Sequence, residues 1–218
     1  MSESFYHETP SQSSFIDHFW DMIDTKSGYY PLYSTVKWGL VFSCLNGATQ
    51  LRLIGPRTIP TSTSFAKDEY FFGVVINADV NLVSYTKKDL LNQIIDIPIE
   101  DNTFTLCSKV LHVPEYKNID AFIEHLVSLN ILYVTQLSTT SLRDQQRKIK
   151  HATGLTAKQI EQAERVDYAI SLIDDGHSLS DIATRAEFSD QAHMTRDFKR
   201  LVGYSPAQIR QYFNHTHS

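Results

Sequence analysis

Between about residues 29 and 80 the chain alternates short apolar or aromatic runs with turn residues: YYPLYSTVKWGLVFSCLNG, TQLRLIGPRTIP and EYFFGVVINADVN. Runs of four to eight residues rich in β-branched and aromatic side chains, bounded by Asn-Gly, Gly-Pro and Asn-Ala-Asp, predict strands. Leu82 to Leu91 follows, with Leu82, Tyr85, Leu90 and Leu91 in helical phase, and predicts a short helix. The period changes near residue 115. Ile119, Phe122, Ile123, Leu126 and Leu129 fall on one helical stripe, with Asn118 or Asp120 as its N-cap. Thr156 to Ile173 repeats that period through Ile160, Ala163, Val166, Ala169, Ile170 and Ile173. It opens on Thr156-x-x-Gln159, a capping-box pattern, and stops at Asp175-Gly176, where glycine suits a left-handed C-terminal position. The pattern predicts an α+β chain: a small β-rich domain over 1–115, an all-α domain over 116–213 and a flexible tail over 214–218.

The helical half matches itself at an offset of forty-nine residues. Arg147 falls on Arg196, Ile149 on Phe198, Lys150 on Lys199, Gly154 on Gly203, Thr156 on Ser205, Gln159 on Gln208 and Ile160 on Ile209. Self-similarity at fixed spacing reports a repeated supersecondary unit. At ~100° per residue, Met194, Phe198 and Leu201 form an apolar stripe, with Ala192, Arg196 and Lys199 opposite. The first copy places Gln145, Ile149 and Ala152 inward, and Arg143, Arg147 and Lys150 outward. Ser178-x-x-Asp181 starts a short helix, the chain breaks at Glu187-Phe188, and Ser189 is the expected cap of the next helix. That helix ends at Gly203, and Ser205-Pro206 begins another. A helix, a tight turn and a helix with an outward arginine make a helix-turn-helix, whose second helix fits a major groove.

Composition narrows the chemistry. The 218 residues are 42% hydrophobic and 21% charged, enough apolar content for a real core, and carry a net charge of −5. A uniformly basic nucleic-acid binder is excluded, but the charge is uneven. Residues 138–210 hold eleven Lys/Arg against ten Asp/Glu, so the acidity belongs elsewhere. Cys44 and Cys107 lie far apart, which points to a reducing compartment and a cytoplasmic location. The opening MSESFYHETPSQSS lacks the character of a secretory leader, and no apolar run reaches the length of a membrane span. No phosphate loop, nucleophile elbow or metal-ligand spacing is present, so no enzyme, cofactor or metal site is expected. Tyr29, Tyr30, Tyr33, Trp38, Phe71 and Phe72 either line a pocket or fill a core.

The stretch DIATRAEFSDQAHMTRDFKRLVGYSPAQIR resembles the C-terminal signature of AraC/XylS-type transcription regulators. It carries Ile182-Ala183, Phe188-Ser189-Asp190, Arg196-Asp197-Phe198-Lys199, Gly203, Ser205-Pro206 and Arg210 at the matching places. Similarity extends back over SLRDQQRKIKHATGLTAKQI, so it covers about residues 138–210. The resemblance implies two helix-turn-helix units joined by one long helix, Thr156 to Ile173, reading successive major grooves of double-stranded DNA. By the same resemblance the base-facing positions are Arg143, Gln146 and Arg147 in the first unit and Gln191, Ala192, His193 and Arg196 in the second. Ser141, Lys150, Ser189, Lys199 and Arg200 fall at phosphate-facing positions. RNA polymerase, a small-molecule effector and a second copy of the chain come into view as further partners.

The sequence also departs from the pattern. Glu187 replaces the turn glycine, Met194 an aromatic and Ile209 a tyrosine. In the first unit Gln145 and Ile149 stand at usual leucine and phenylalanine positions, and NILYVTQLSTT is β-branched where a helix should lie. A regulator with a degenerate first unit, acting by pairing with another regulator, is the alternative reading.

Overall fold

Asn46 and Gly47 sit at φ 51° and 79°, the paired left-handed geometry a two-residue hairpin requires. They fold Trp38–Leu45 back on Ala48–Ile54, with Leu45 opposite Ala48. The computed structural model describes residues 4–134 and 154–216. In chain order the strands are β1 (Ser4–Pro10), β2 (Ile16–Asp24), β3 (Gly28–Leu32), β4 (Trp38–Leu45), β5 (Ala48–Ile54), β6 (Thr61–Phe65), β7 (Tyr70–Ile76) and β8 (Val80–Leu82). Helix α1 (Lys87–Leu90), strands β9 (Ile94–Ile97), β10 (Ile99–Glu100), β11 (Thr103–Leu106) and β12 (Lys109–His112), helix α2 (Ile119–Ser128) and β13 (Leu132–Val134) follow. Six strands form an antiparallel sheet in the order β1-β2-β7-β4-β5-β9, while β3 pairs with β6 as a separate ribbon.

One face of the sheet is the core. Leu40 and Phe42 of β4, Leu51 and Leu53 of β5, and Phe72 and Val74 of β7 pack with Phe104 of β11 and with Phe122, Ile123 and Leu126 of α2. Phe42 stacks on Phe72 at 4.8 Å and meets Phe104 and Phe122 edge-on, arrangements that add to the area each ring buries.

One expectation changes here. Leu82 belongs to a strand, paired with Leu132 of β13, and only Lys87–Leu90 is helical, begun by a capping box between Thr86 and Asp89. The ladder to β13 takes the backbone groups that a helix from Leu82 would use. The stripe of α2 is helical as expected and packs on the sheet, sharing one core with residues on the other side of the boundary expected near residue 115.

The helical part comprises α3 (Ala157–Asp174), α4 (Leu179–Arg185), α5 (Gln191–Leu201) and α6 (Pro206–Thr216). Thr156 and Gln159 close the expected capping box of α3, and Gly176 at φ 81° ends it, with the His177 N–H reaching back to the Leu172 carbonyl at 3.1 Å. Helix α6 runs to Thr216, through most of the stretch expected to be a frayed tail. Val166, Ile170, Ile182, Phe188, Met194, Phe198 and Ile209 form this part's own core. The segment 33–37 joins the two parts. The Ser34 N–H donates to the Leu201 carbonyl at 2.7 Å, and Val36 packs with Leu155 and Ala163. The β-rich N-terminal region and helical C-terminal region are thus as the sequence implies. No helix among the described residues is long and apolar enough to cross a membrane.

Candidate nucleic-acid interface

The turn between α4 and α5 is built on a strained residue. Glu187 lies at φ 57°, and its N–H and that of Phe188 close back on the carbonyls of Thr184 and Ala183. A side chain other than glycine pays about 1 kcal/mol there. Arg165 of α3 braces the turn: its guanidinium lies 5.4 Å over the Phe188 ring, donates to the Glu187 carbonyl at 3.4 Å and pairs with Glu161 at 2.9 Å. Since the Glu187 contribution to that brace is a main-chain oxygen, Glu187→Gly should keep it and raise the stability of the helical part by about 0.5–1 kcal/mol. Urea unfolding followed by circular dichroism checks this, and a loss of stability would refute it.

Asp190, not Ser189, caps α5. Its backbone is extended and its carboxylate accepts the His193 N–H at 2.6 Å. That bond and the nearby Ser189 and Arg196 hold the carboxyl below its usual range. A carboxylate wins this position because it also meets the positive end of the helix dipole. Ser189 stands one residue outside, its Oγ 3.1 Å from His193 Nδ1.

Beyond the cap, the stripes fall as the period dictates. Met194, Phe198 and Leu201 are buried, while Gln191, Ala192, Arg196 and Lys199 are exposed on the other side. Arg196 makes no hydrogen bond or ion pair within 4 Å among the described residues. Asp197, next to Arg196 in the chain, is only 7% exposed and accepts from Arg200 at 2.8 Å. It follows Arg196 by ~100°, which carries it from the outer face to the edge of the apolar one. His193 is drawn inward too, with Nε2 3.5 Å from Asp197 and its ring edge-on to Phe188 at 5.4 Å. Arg200 keeps about half its side chain exposed while tied to Asp197. Behind the helix, Gly203 at φ 86° ends α5, Ser205 and Gln208 cap α6, and Arg210 donates to the His177 carbonyl. Ser141, Arg143, Gln146, Arg147 and Lys150 lie outside the described residues.

A cavity of about 360 Å³ lies between the second face of the six-stranded sheet, the β3–β6 ribbon and α3. Trp20 lies flat there because β7 carries Gly73 beneath it, where a Cβ would come within 2.9 Å of the ring. Tyr6 and Tyr30 stack on Trp20 with centroids at 6.1 and 6.4 Å. At the α3 end, Lys37 stands 3.0 Å from Asp17 and 4.0 Å from Asp167, and Thr35 donates to Asp167 at 3.3 Å. The hydrogen bond from His18, with Lys37 behind it, holds Asp17 down to about 2, whereas burial pushes Asp167 up to about 6. Of the aromatics singled out from sequence, Tyr30, Tyr33 and Trp38 border the cavity, Phe71 and Phe72 are buried, and Tyr29 is 75% exposed. Trp20 and Tyr6 were not among them; the alternation of His18, Trp20 and Met22 on one face of β2 was the available signal. Among the described residues no group of His, Cys, Asp or Glu is arranged to hold a metal ion.

Comparison with known proteins bears on the helical part and on the fold separately. The family described as "Helix-turn-helix domain" matches residues 135–212. The HTH-type transcriptional activators RhaS of Salmonella arizonae and Salmonella paratyphi B are each 35% identical over 79 residues, 36% of this chain. The matched stretch is 28% of the length of those relatives. A crystal structure of an apo variant of ToxT from Vibrio cholerae aligns with a TM-score of 0.50 at 13% identity, over 96% of this chain and 97% of that one. That likeness concerns the fold: a β-rich part followed by a helical one. The turn, caps and outward arginine of α4 and α5 lie within the matched stretch, and they are those of a helix-turn-helix, as its similarity to AraC-type domains requires.

Proposed function

We propose that this chain is a sequence-specific transcription regulator that binds double-stranded DNA with α5 in the major groove. The observation that carries the reading is Arg196, exposed and without a partner among the described residues, on the outer face of a helix whose inner face is locked by Met194, Phe198 and Leu201. A guanidinium offers two parallel donors that match guanine O6 and N7, a pairing worth about 1–3 kcal/mol of discrimination. Gln191 suits the adenine N6/N7 edge, and Ala192 suits a thymine methyl. Lys199 and Arg200, a turn further on, suit phosphates, and Ser189 stands at the helix start where backbone donors also favour an anion. His193 serves as a brace, joining Ser189, Phe188 and Asp197, so the base-reading set of this unit is Gln191, Ala192 and Arg196. Arg143, Gln146 and Arg147, flanked by Ser141 and Lys150, form the matching set for the neighbouring groove by the internal repeat.

The cavity is the place for a small-molecule effector. Its apolar walls and few polar groups are those of a ligand site. At its α3 end Lys37 lies between Asp17 and Asp167, an arrangement that suits binding better than catalysis. Because Asp167 belongs to α3, a ligand that changes the Thr35–Lys37–Asp167 contacts acts directly on the helix that carries the DNA-reading unit. RNA polymerase and a second copy of the chain are the partners such a regulator would use.

Titration of DNA fragments from the regulator's own upstream region tests the reading. Arg196→Ala should weaken binding to the preferred fragment by about 10–100-fold and leave binding to random DNA unchanged. Lys199→Ala should weaken both alike and flatten the dependence on salt by about one phosphate contact. Equal losses on every sequence from Arg196→Ala would refute base reading.

A further inference from the structure

Arg57 is only 4% exposed, yet its guanidinium has no hydrogen bond or ion pair among the described residues, and Nη2 is sealed without a partner. Burial pushes its pKa down. Ser34, at 1% exposure, likewise leaves its Oγ unpartnered. More than ~90% of buried polar groups find a partner, and a buried charge without one is among the most unfavourable features a fold can carry. Both residues border a second cavity, of about 30 Å³, between the β-rich and helical parts, and Arg57 borders the larger cavity as well.

The chemistry around that cavity has one sign. Arg57 and Ser34 come from the β-rich side; Gln159 and Gln162 of α3 and Arg200 of α5 face them. No carboxylate is among its described lining residues; Asp197, behind Arg200, binds it through Oδ1 at 2.8 Å and leaves Oδ2 buried without a hydrogen bond. Gln159 receives both the N–H and the hydroxyl of Thr156 on its Oε1 at 2.9 Å, which leaves the amide nitrogen as its free end, a donor. Two guanidiniums, a hydroxyl and an amide donor, with no carboxylate among the described lining residues, call for an acceptor with negative charge. A void of this size holds a water or an ion of a few heavy atoms, and a water would leave the Arg57 charge uncompensated.

We propose that this cavity binds a small monovalent anion, of the size of chloride or formate, which links Arg57 of the β-rich part to Arg200 at the end of the DNA-reading helix. The bound ion ties the two parts together at the joint where Ser34 also meets Leu201. The site stands independently of whether α5 reads bases.

Thermal melting of the full chain at constant ionic strength, with chloride replaced stepwise by gluconate, tests it, since gluconate is too large for the cavity. The wild type should gain about 3 °C or more, saturably, when chloride reaches tenfold its Kd. Arg57→Gln should lose that gain, and in gluconate alone should melt above the wild type because no buried charge remains unpaired. Arg200→Gln, which leaves Arg57 in place, should need more chloride for the same gain. Crystals grown in bromide should show anomalous density between Arg57 and Arg200. An unchanged chloride response in Arg57→Gln, or water in place of bromide, would overturn the proposal. So would stabilisation through Arg57 by benzoate but by neither chloride nor formate, because the carboxylate would then be the head of a molecule seated in the larger cavity.

Discussion

Phe198→Ala should cost the helical part about 3–5 kcal/mol and abolish specific DNA binding at physiological temperature. Phe198 is fully buried at 0% exposure, in a core to which α3, α4, α5 and α6 all contribute through Val166, Ile182, Met194, Leu201 and Ile209. Truncation removes the ring's transfer energy and leaves a hole in that shared core. The Phe198 carbonyl accepts the N–H groups of Val202 and Gly203 at 2.7 and 3.2 Å, so the turn at the end of α5 depends on the same residue staying in place. Lys199→Ala, one residue on and exposed, should stay within about 0.5 kcal/mol of the wild type. Urea unfolding of both variants by far-ultraviolet circular dichroism makes the comparison. Both tryptophans of the chain, Trp20 and Trp38, lie in the β-rich part, so their fluorescence follows that part separately. A loss below 1 kcal/mol in Phe198→Ala would contradict the packing described.

Asp167→Asn should change the pH dependence of stability. In the folded chain burial pushes the Asp167 carboxyl up to about 6, against an ordinary value of 3.8, with Lys37 and Thr35 opposing the shift. Between those two values the folded state holds a proton that the unfolded state has released, so stability falls as pH rises. The contribution is therefore full below about pH 4 and lost as pH passes 6, by about 3 kcal/mol in all. Asparagine carries no charge to desolvate and still accepts from Thr35. Lys37 keeps Asp17 at 3.0 Å, so no charge is orphaned. At pH 7.5 the variant should be more stable than the wild type by up to about 3 kcal/mol, and at pH 4 the two should coincide. Asp17 works the other way, with stability lost only as pH falls towards 2, below this window. Chemical denaturation at a series of pH values reads the difference; parallel curves for variant and wild type would refute it.

What the sequence could announce was whatever is decided locally. The capping pair Thr156–Gln159, the helix start at Ser205-Pro206 and the terminal glycines Gly176 and Gly203 were legible because each is set by neighbouring residues. The turn at Glu187 was legible from the resemblance, in which it stands at a glycine position. The stripe from Ile119 to Leu129 announced a helix but not its neighbour: a period states that one face is buried, not against what. Asp197 sits at the edge between the two stripes of α5, where a one-residue step decides burial, and its partner Arg200 was legible only as a further cation. Arg57 and Asp167 were invisible for a different reason. Each is buried by the meeting of the β-rich and helical parts, which brings together residues more than a hundred positions apart. No local pattern records that.

Base reading by Arg196 of α5 is open to selection of binding sites from a random duplex library, run in parallel with the wild type and with Arg196→Ala. The wild type should enrich a motif containing a guanine that becomes degenerate at that one position in the variant. Enrichment of the same motif by both proteins, or of none by the wild type, would contradict it.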